Sequence, residues 1–150
     1  MASGVITLPD GRRLRWHEFG EPDGSPVIYT AGTPVSGLGG ASYSEAARAA
    51  GLRWISPDKP GYGGSDYHPK RTLISWGDDL AALAGQLGLD RFLIAGESGG
   101  GPFTVAPAAF ARRLAGELPD ATLHISESSG HDVGYDRRDE IVSVLASYAK

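Results

Sequence analysis

Hydrophobic residues follow two rhythms along this chain. Val5 to Leu8 and Arg12 to Phe19 are short runs on either side of Pro9-Asp10-Gly11, and in the second run Leu14, Trp16 and Glu18 fall on one face. Asp-Gly accepts the positive backbone angles of a tight turn, so the pattern predicts a β-hairpin. Val27-Ile28-Tyr29-Thr30 and Leu52-Arg53-Trp54-Ile55 predict two further strands, with a brief Ala-rich helix over Tyr43 to Ala50 between them. Arg91 to Ala95 is apolar without alternation, the mark of a strand buried on both faces. From Thr72 to Leu87 the rhythm changes. Trp76, Leu80, Leu83 and Leu87 recur at four, three and four residues while Asp78, Asp79 and Gln86 face elsewhere, which predicts a helix lying on one face of a sheet. Another helix begins just after Ser98 and stalls near Pro107, whose ring strikes the preceding turn. Phe110 to Leu118 resumes as helix and Ala121 to Ser126 reads as a last strand. Arg137 to Ala149 closes the chain as a helix, with Ile141, Val142, Leu145 and Tyr148 on one side and Asp136 as its cap.

Strand and helix therefore alternate through most of the chain. That is the pattern of an α/β domain with right-handed crossovers, and it predicts a mostly parallel sheet of about six strands flanked by helices. No linker, repeat or low-complexity tract interrupts residues 1–150, so a single domain is expected. A chain of 150 residues buries roughly 70% of its unfolded surface and needs no covalent staple. With 41% hydrophobic and 21% charged residues, the chain is too apolar to be disordered. A net charge of −4 argues against nucleic-acid partners, which require a cationic surface. No cysteine is present, so covalent chemistry must use oxygen or nitrogen, and thiolate metal sites are excluded. Met1 to Gly11 lacks a basic stretch followed by an apolar run, and nowhere do 18 apolar residues follow one another. The expectation is a cytoplasmic protein that neither inserts in a membrane nor carries a cofactor.

Glycine is the compositional outlier, at 22 residues clustered in 37–40, 61–64 and 96–101. The last cluster carries the sharpest signal. Gly96-Glu97-Ser98-Gly99-Gly100 is a G-x-S-x-G pattern directly after an apolar strand and directly before a helix. A serine in so sharp a turn takes a strained backbone conformation, and glycine-sized neighbours let strand and helix approach each other. Its hydroxyl projects from the carboxyl edge of the sheet, near the positive end of the following helix, where a developing oxyanion is stabilised. The same residues also read as a plain glycine-rich turn or a phosphate cradle. A phosphate loop, however, requires G-x-x-x-x-G-K-[ST] and a dinucleotide site G-x-G-x-x-G, and neither spacing is present.

With that serine in place, the chain resembles the α/β-hydrolase family. Ala31-Gly32-Thr33-Pro34-Val35-Ser36-Gly37 is similar to the family's H-G-T-P-G-S-G loop, one amide of which serves an oxyanion hole. Asp58-Lys59-Pro60-Gly61-Tyr62-Gly63-Gly64-Ser65 resembles its D-R-P-G-x-G-x-S turn. Leu118 to His124 through Ser129-Gly130-His131 resembles the ending that delivers the catalytic histidine. The resemblance implies Ser98 as nucleophile, His131 as general base and then acid, and the amides of Thr33 and Gly99 as oxyanion donors. A neutral imidazole takes a serine proton near pH 7, in keeping with that assignment. The competing histidines have less apt settings: His17 and His124 lie within predicted strands and His68 in a polar loop.

The chain departs from the family pattern in three places. It runs from the nucleophile helix straight into what resembles the helix before the last strand, so two core strands and the lid region are absent, a reduced α/β-hydrolase fold. The turn that carries the histidine-orienting acid goes with them. Asp132 and Glu127 flank His131 and Asp136 follows; Asp132 is the acid candidate, and a Ser98–His131 dyad is the default. Ala31 and Val35 stand where the family has histidine and glycine. Losing an orienting acid in a comparable triad costs about 10⁴ in turnover. The expected activity is thus weak cleavage of short carboxylic esters through an acyl-serine. The alternative is an inactive scaffold that binds a small molecule or a protein partner. The last strand is expected beside the nucleophile strand; otherwise an exposed sheet edge pairs with a second copy as a homodimer.

Overall fold

The computed structural model describes residues 2–107 and 138–149. Strands β1 (Ala2–Thr7), β2 (Arg13–Gly20), β3 (Ser25–Thr30), β4 (Leu52–Pro57) and β5 (Leu93–Gly96) form one sheet in the order β1-β2-β4-β3-β5. β2 runs antiparallel to both β1 and β4, whereas β3 runs parallel to β4 and to β5. Four of the five strands thus point the same way. The reversal at β2 follows from the turn at Pro9-Asp10-Gly11, where the Leu8 and Gly11 amides donate to the Arg12 and Leu8 carbonyls. The expected last strand at 121–126 and the helix at 110–118 lie outside the described residues. Among the described residues, no helix is long and apolar enough to cross a membrane.

Alternation along the strands splits the core in two. On one face Ile6, Leu14, Ile28 and Ile55 meet Trp76, Leu80 and Leu83 of helix α2 (Ser75–Gln86). On the other, Phe19, Val27, Tyr29, Leu52 and Trp54 meet Tyr43, Ala47 of α1 (Ser44–Ala49) and Val142 of the closing helix. A short helix at 101–107, α3, follows the elbow after β5, and the closing helix, α4, spans Arg138–Tyr148. The predicted α2 stripe is the buried one, with two differences. The helix starts at Ser75 rather than Thr72, because the Thr72 and Ser75 hydroxyls and amides bond reciprocally and hold that turn as a cap. Asp79 does not face solvent: it is buried, and the Arg12 guanidinium grips both of its oxygens at 2.6 and 3.1 Å. That clamp ties the hairpin to α2 and holds Arg12 well above its ordinary range. Tyr148, expected on the buried side of the closing helix, is half exposed, while Val142 is buried.

Leu83 is fully buried between α2 and the sheet. Leu83→Ala should lower stability by about 2–5 kcal/mol, read as a fall in the urea midpoint at unchanged slope. A loss below ~1 kcal/mol would contradict this packing.

Candidate active site

Parallel pairing of β3 with β5 brings the segments after the two strands side by side. The register aligns Thr30 with Gly96, so the Ala31-Gly32-Thr33 loop stands against Glu97-Ser98-Gly99. Glu97 is still extended, with φ −124° and ψ 154°, and the chain then turns abruptly. Ser98 has φ 46°, the single non-glycine residue in the left-handed region among those described. Such a conformation costs about 1–3 kcal/mol and persists only where its surroundings enforce it. The flanking glycines do so. A Cβ at Gly100 would strike the Thr30 carbonyl, and one at Gly96 would strike the Thr104 hydroxyl. That hydroxyl donates to the Ala95 and Gly100 carbonyls at 3.2 and 3.1 Å and pins α3 onto the strand.

The two predicted amide donors are brought together. A Cβ on Gly99 would lie 3.3 Å from the Thr33 nitrogen, and one on Gly32 would lie 3.2 Å from the Ser98 Cβ. Ser98 itself is exposed at this junction. Below it is a cavity of about 150 Å³ with walls from Tyr29, Tyr43, Trp54, Glu97, Ser98 and Ile141. The Tyr43 hydroxyl donates to the Glu97 carboxylate at 2.8 Å. Burial first, and then Glu97, pushes the Tyr29 and Tyr43 phenols well above the usual tyrosine range, so both stay protonated. His131 and Asp132, with Glu127, Asp136 and His124, lie outside the described residues.

Two charged residues that the sequence reading left without a role hold the site together. Asp58 and Lys59 follow directly on β4 and are almost fully buried. The Asp58 carboxylate accepts from the Gly37 amide at 2.6 Å and from the Gly64 amide at 2.7 Å, linking the loops after β3 and β4. His17, expected as an ordinary strand residue, is buried with its Nε2 3.5 Å from the same carboxylate. The Lys59 ammonium donates to the Ala31 carbonyl, to the Gly32 carbonyl at 3.0 Å and to the Val35 carbonyl at 3.4 Å, over the face of the Tyr62 ring. The available signal was a pair of unlike charges immediately after an uninterrupted buried strand. Such charges remain buried only when their bonds are met.

Solved structures are similar to this fold over about three quarters of the chain. A thermophilic esterase from Thermogutta terrifontis superposes with a TM-score of 0.63 at 29% identity, over 75% of this chain and 42% of that one. A hypothetical protein from Pseudomonas aeruginosa gives 0.63 at 32% identity, over 75% and 40% of the respective chains. An epoxide hydrolase from an endophytic Streptomyces gives 0.62 at 25% identity, over 75% and 34%. In sequence, a non-heme chloroperoxidase of Streptomyces lividans is 30% identical over 99 residues, which is 65% of this chain and 36% of that protein. This chain has an α/β-hydrolase fold in reduced form. No family model matches it. It spans roughly two-fifths or less of the length of these similar proteins. The described residues correspond to the part of the fold that carries the Ser98 elbow and the loop facing it.

Asp58→Ala should leave the Gly37 and Gly64 amides without this acceptor, at about 1–3 kcal/mol for the buried Gly37 donor and less for Gly64, which is exposed. Hydrogen exchange at both amides should accelerate together with a lower urea midpoint. Unchanged exchange at Gly37 would contradict the link between the two loops.

Proposed function

We propose that this α/β-hydrolase cleaves short carboxylic esters of small molecules through an acyl-Ser98 intermediate. The observation that carries the reading is the left-handed φ of 46° at Ser98, held by glycines on both sides at the end of a parallel strand. A protein retains such local strain where it presents a side chain for work, and here the side chain is an alcohol, the nucleophile suited to acyl transfer. The neighbouring esterase supports the hydrolase class. The cavity of about 150 Å³ beside Ser98, walled by Tyr29, Tyr43 and Trp54, supports a small substrate.

In this mechanism His131 accepts the Ser98 proton as Oγ bonds to the ester carbonyl carbon. The carbonyl electron pair moves to oxygen, and the Thr33 and Gly99 amides donate to the resulting oxyanion. Collapse breaks the bond to the alcohol oxygen, which leaves with the proton held by His131. Water then repeats the sequence and releases the acid and free Ser98. His131 works as a dyad partner, with Asp132 contributing little.

The protein should hydrolyse p-nitrophenyl acetate and take up a fluorophosphonate at Ser98, as read by mass spectrometry. Ser98→Ala should abolish both, and His131→Ala should cut the rate by roughly 10³-fold or more. Asp132→Asn should change the rate less than about tenfold, since a dyad has no orienting acid to lose. Absence of any adduct would leave the inactive binding scaffold. A loss in Asp132→Asn equal to that in His131→Ala would make Asp132 the orienting acid.

A further inference from the structure

We infer that Lys59 is a positioning residue for the reaction: its ammonium gathers the carbonyls of the loop after β3 and thereby aims and polarises the Thr33 amide that faces Ser98. The inference deepens the ester-hydrolase reading and rests on it. The geometry begins with the peptide plane. The bond between Gly32 and Thr33 is trans, since the cis bond lies between Thr33 and Pro34, and in a trans peptide the C=O and N–H point in opposite directions. The Gly32 carbonyl accepts from Lys59 Nζ at 3.0 Å and from the Val35 amide at 3.1 Å. With that oxygen drawn toward the ammonium, the Thr33 N–H points away from it, and Gly99 stands against the same nitrogen.

The acceptors on either side remove the remaining freedom of the loop. The Ala31 and Val35 carbonyls turn toward the same ammonium, so three carbonyls within five residues share one cation. Ala31 has no side chain able to fix the loop from within, and Lys59 does so from the segment that follows β4. A cation on a peptide oxygen also withdraws electron density from that peptide unit, and bonds in such a chain strengthen one another. The Thr33 N–H is therefore both aimed and made a stronger donor, and the gain is largest where negative charge develops.

The charges around Lys59 explain why its protonation is open to test. Burial pushes the ammonium down to about 8 and the nearby Arg71 guanidinium adds to this, while the Asp58 and Glu97 carboxylates oppose them. Arg71 is held in place by the Pro60 carbonyl at 2.8 Å and by the Tyr62 ring that also underlies Lys59. The sign follows directly. Below about 8 Lys59 is charged and holds the loop; above it the amine is neutral and the polarisation is lost, so turnover falls as pH rises through that value.

The experiment pairs kinetics with a readout independent of catalysis. In the wild-type protein the Thr33 amide nitrogen should show an NMR titration with its midpoint near 8. That titration should vanish in Lys59→Arg, whose guanidinium stays charged, and in Lys59→Met. For short-ester hydrolysis, Lys59→Met should lower kcat by roughly 10- to 100-fold with KM nearly unchanged, short of the ~10²–10³ for removing an oxyanion donor outright. Lys59→Arg should restore most of kcat and abolish the alkaline fall in rate. A folded Lys59→Met with wild-type kcat, or a Thr33 amide indifferent to pH between 7 and 9.5, would overturn the inference. If Lys59→Met does not fold, the wild-type and Lys59→Arg titrations decide it. If instead Ser98 takes no label while the Thr33 titration is present, the ester-hydrolase reading fails and the loop clamp stands.

Discussion

Two closely packed glycines set the geometry from which the rest of the site follows. Gly100 packs on the Thr30 carbonyl and Gly96 on the Thr104 hydroxyl, each too closely for a Cβ. Because β3, β5 and α3 meet at that spacing, the chain between strand and helix has no room for a relaxed turn, and Ser98 takes up the strain at φ 46°. Parallel pairing of β3 with β5 then delivers the 31–33 loop to the same corner. A hydroxyl and two amide donors are thus assembled by sheet register and close packing.

Charge is placed with equal economy around this corner. Asp58 and Lys59 leave the end of β4 together, and each satisfies backbone groups on loops that have no regular partners. A buried carboxylate or ammonium is costly unless its bonds are met, which is why these two serve as loop anchors. On the other side of the elbow, Glu97 is held by Tyr43 above an aromatic cluster of Tyr29, Tyr43 and Trp54, whose ring centres lie 4.9–5.2 Å apart. The elbow is therefore braced on one side by ionic and backbone hydrogen bonds and on the other by packed rings.

Much of this was legible in the sequence, and the failures have physical causes. The strands β1 to β4 and α2 announce themselves because each sets apolar side chains into the core, and β5 because its apolar run packs partly against both core clusters. The G-x-S-x-G turn was legible because close approach admits only glycine. Asp79 was misjudged because a carboxylate on a helix ordinarily faces water; a bidentate Arg12 from a distant hairpin reverses that, and no local pattern announces it. The antiparallel course of β2 was legible in the Pro9-Asp10-Gly11 hairpin, whereas its place beside β4 is a matter of long-range pairing that no local pattern encodes. Lys59 escaped a role for the same reason, since its three acceptors lie 24 to 28 residues earlier in the chain. His131 was proposed by resemblance and Asp132 because it flanks His131, and both lie outside the described residues.

The central claim is that the Ser98 elbow and the Thr33 loop form one acyl-transfer site. The most direct measurement is a crystal structure of the protein after reaction with a small phosphonate ester. The account predicts phosphorus bonded to Ser98 Oγ and a phosphonyl oxygen about 2.7–3.1 Å from both the Thr33 and Gly99 nitrogens. An adduct on another residue, or a phosphonyl oxygen turned away from both amides, would contradict it.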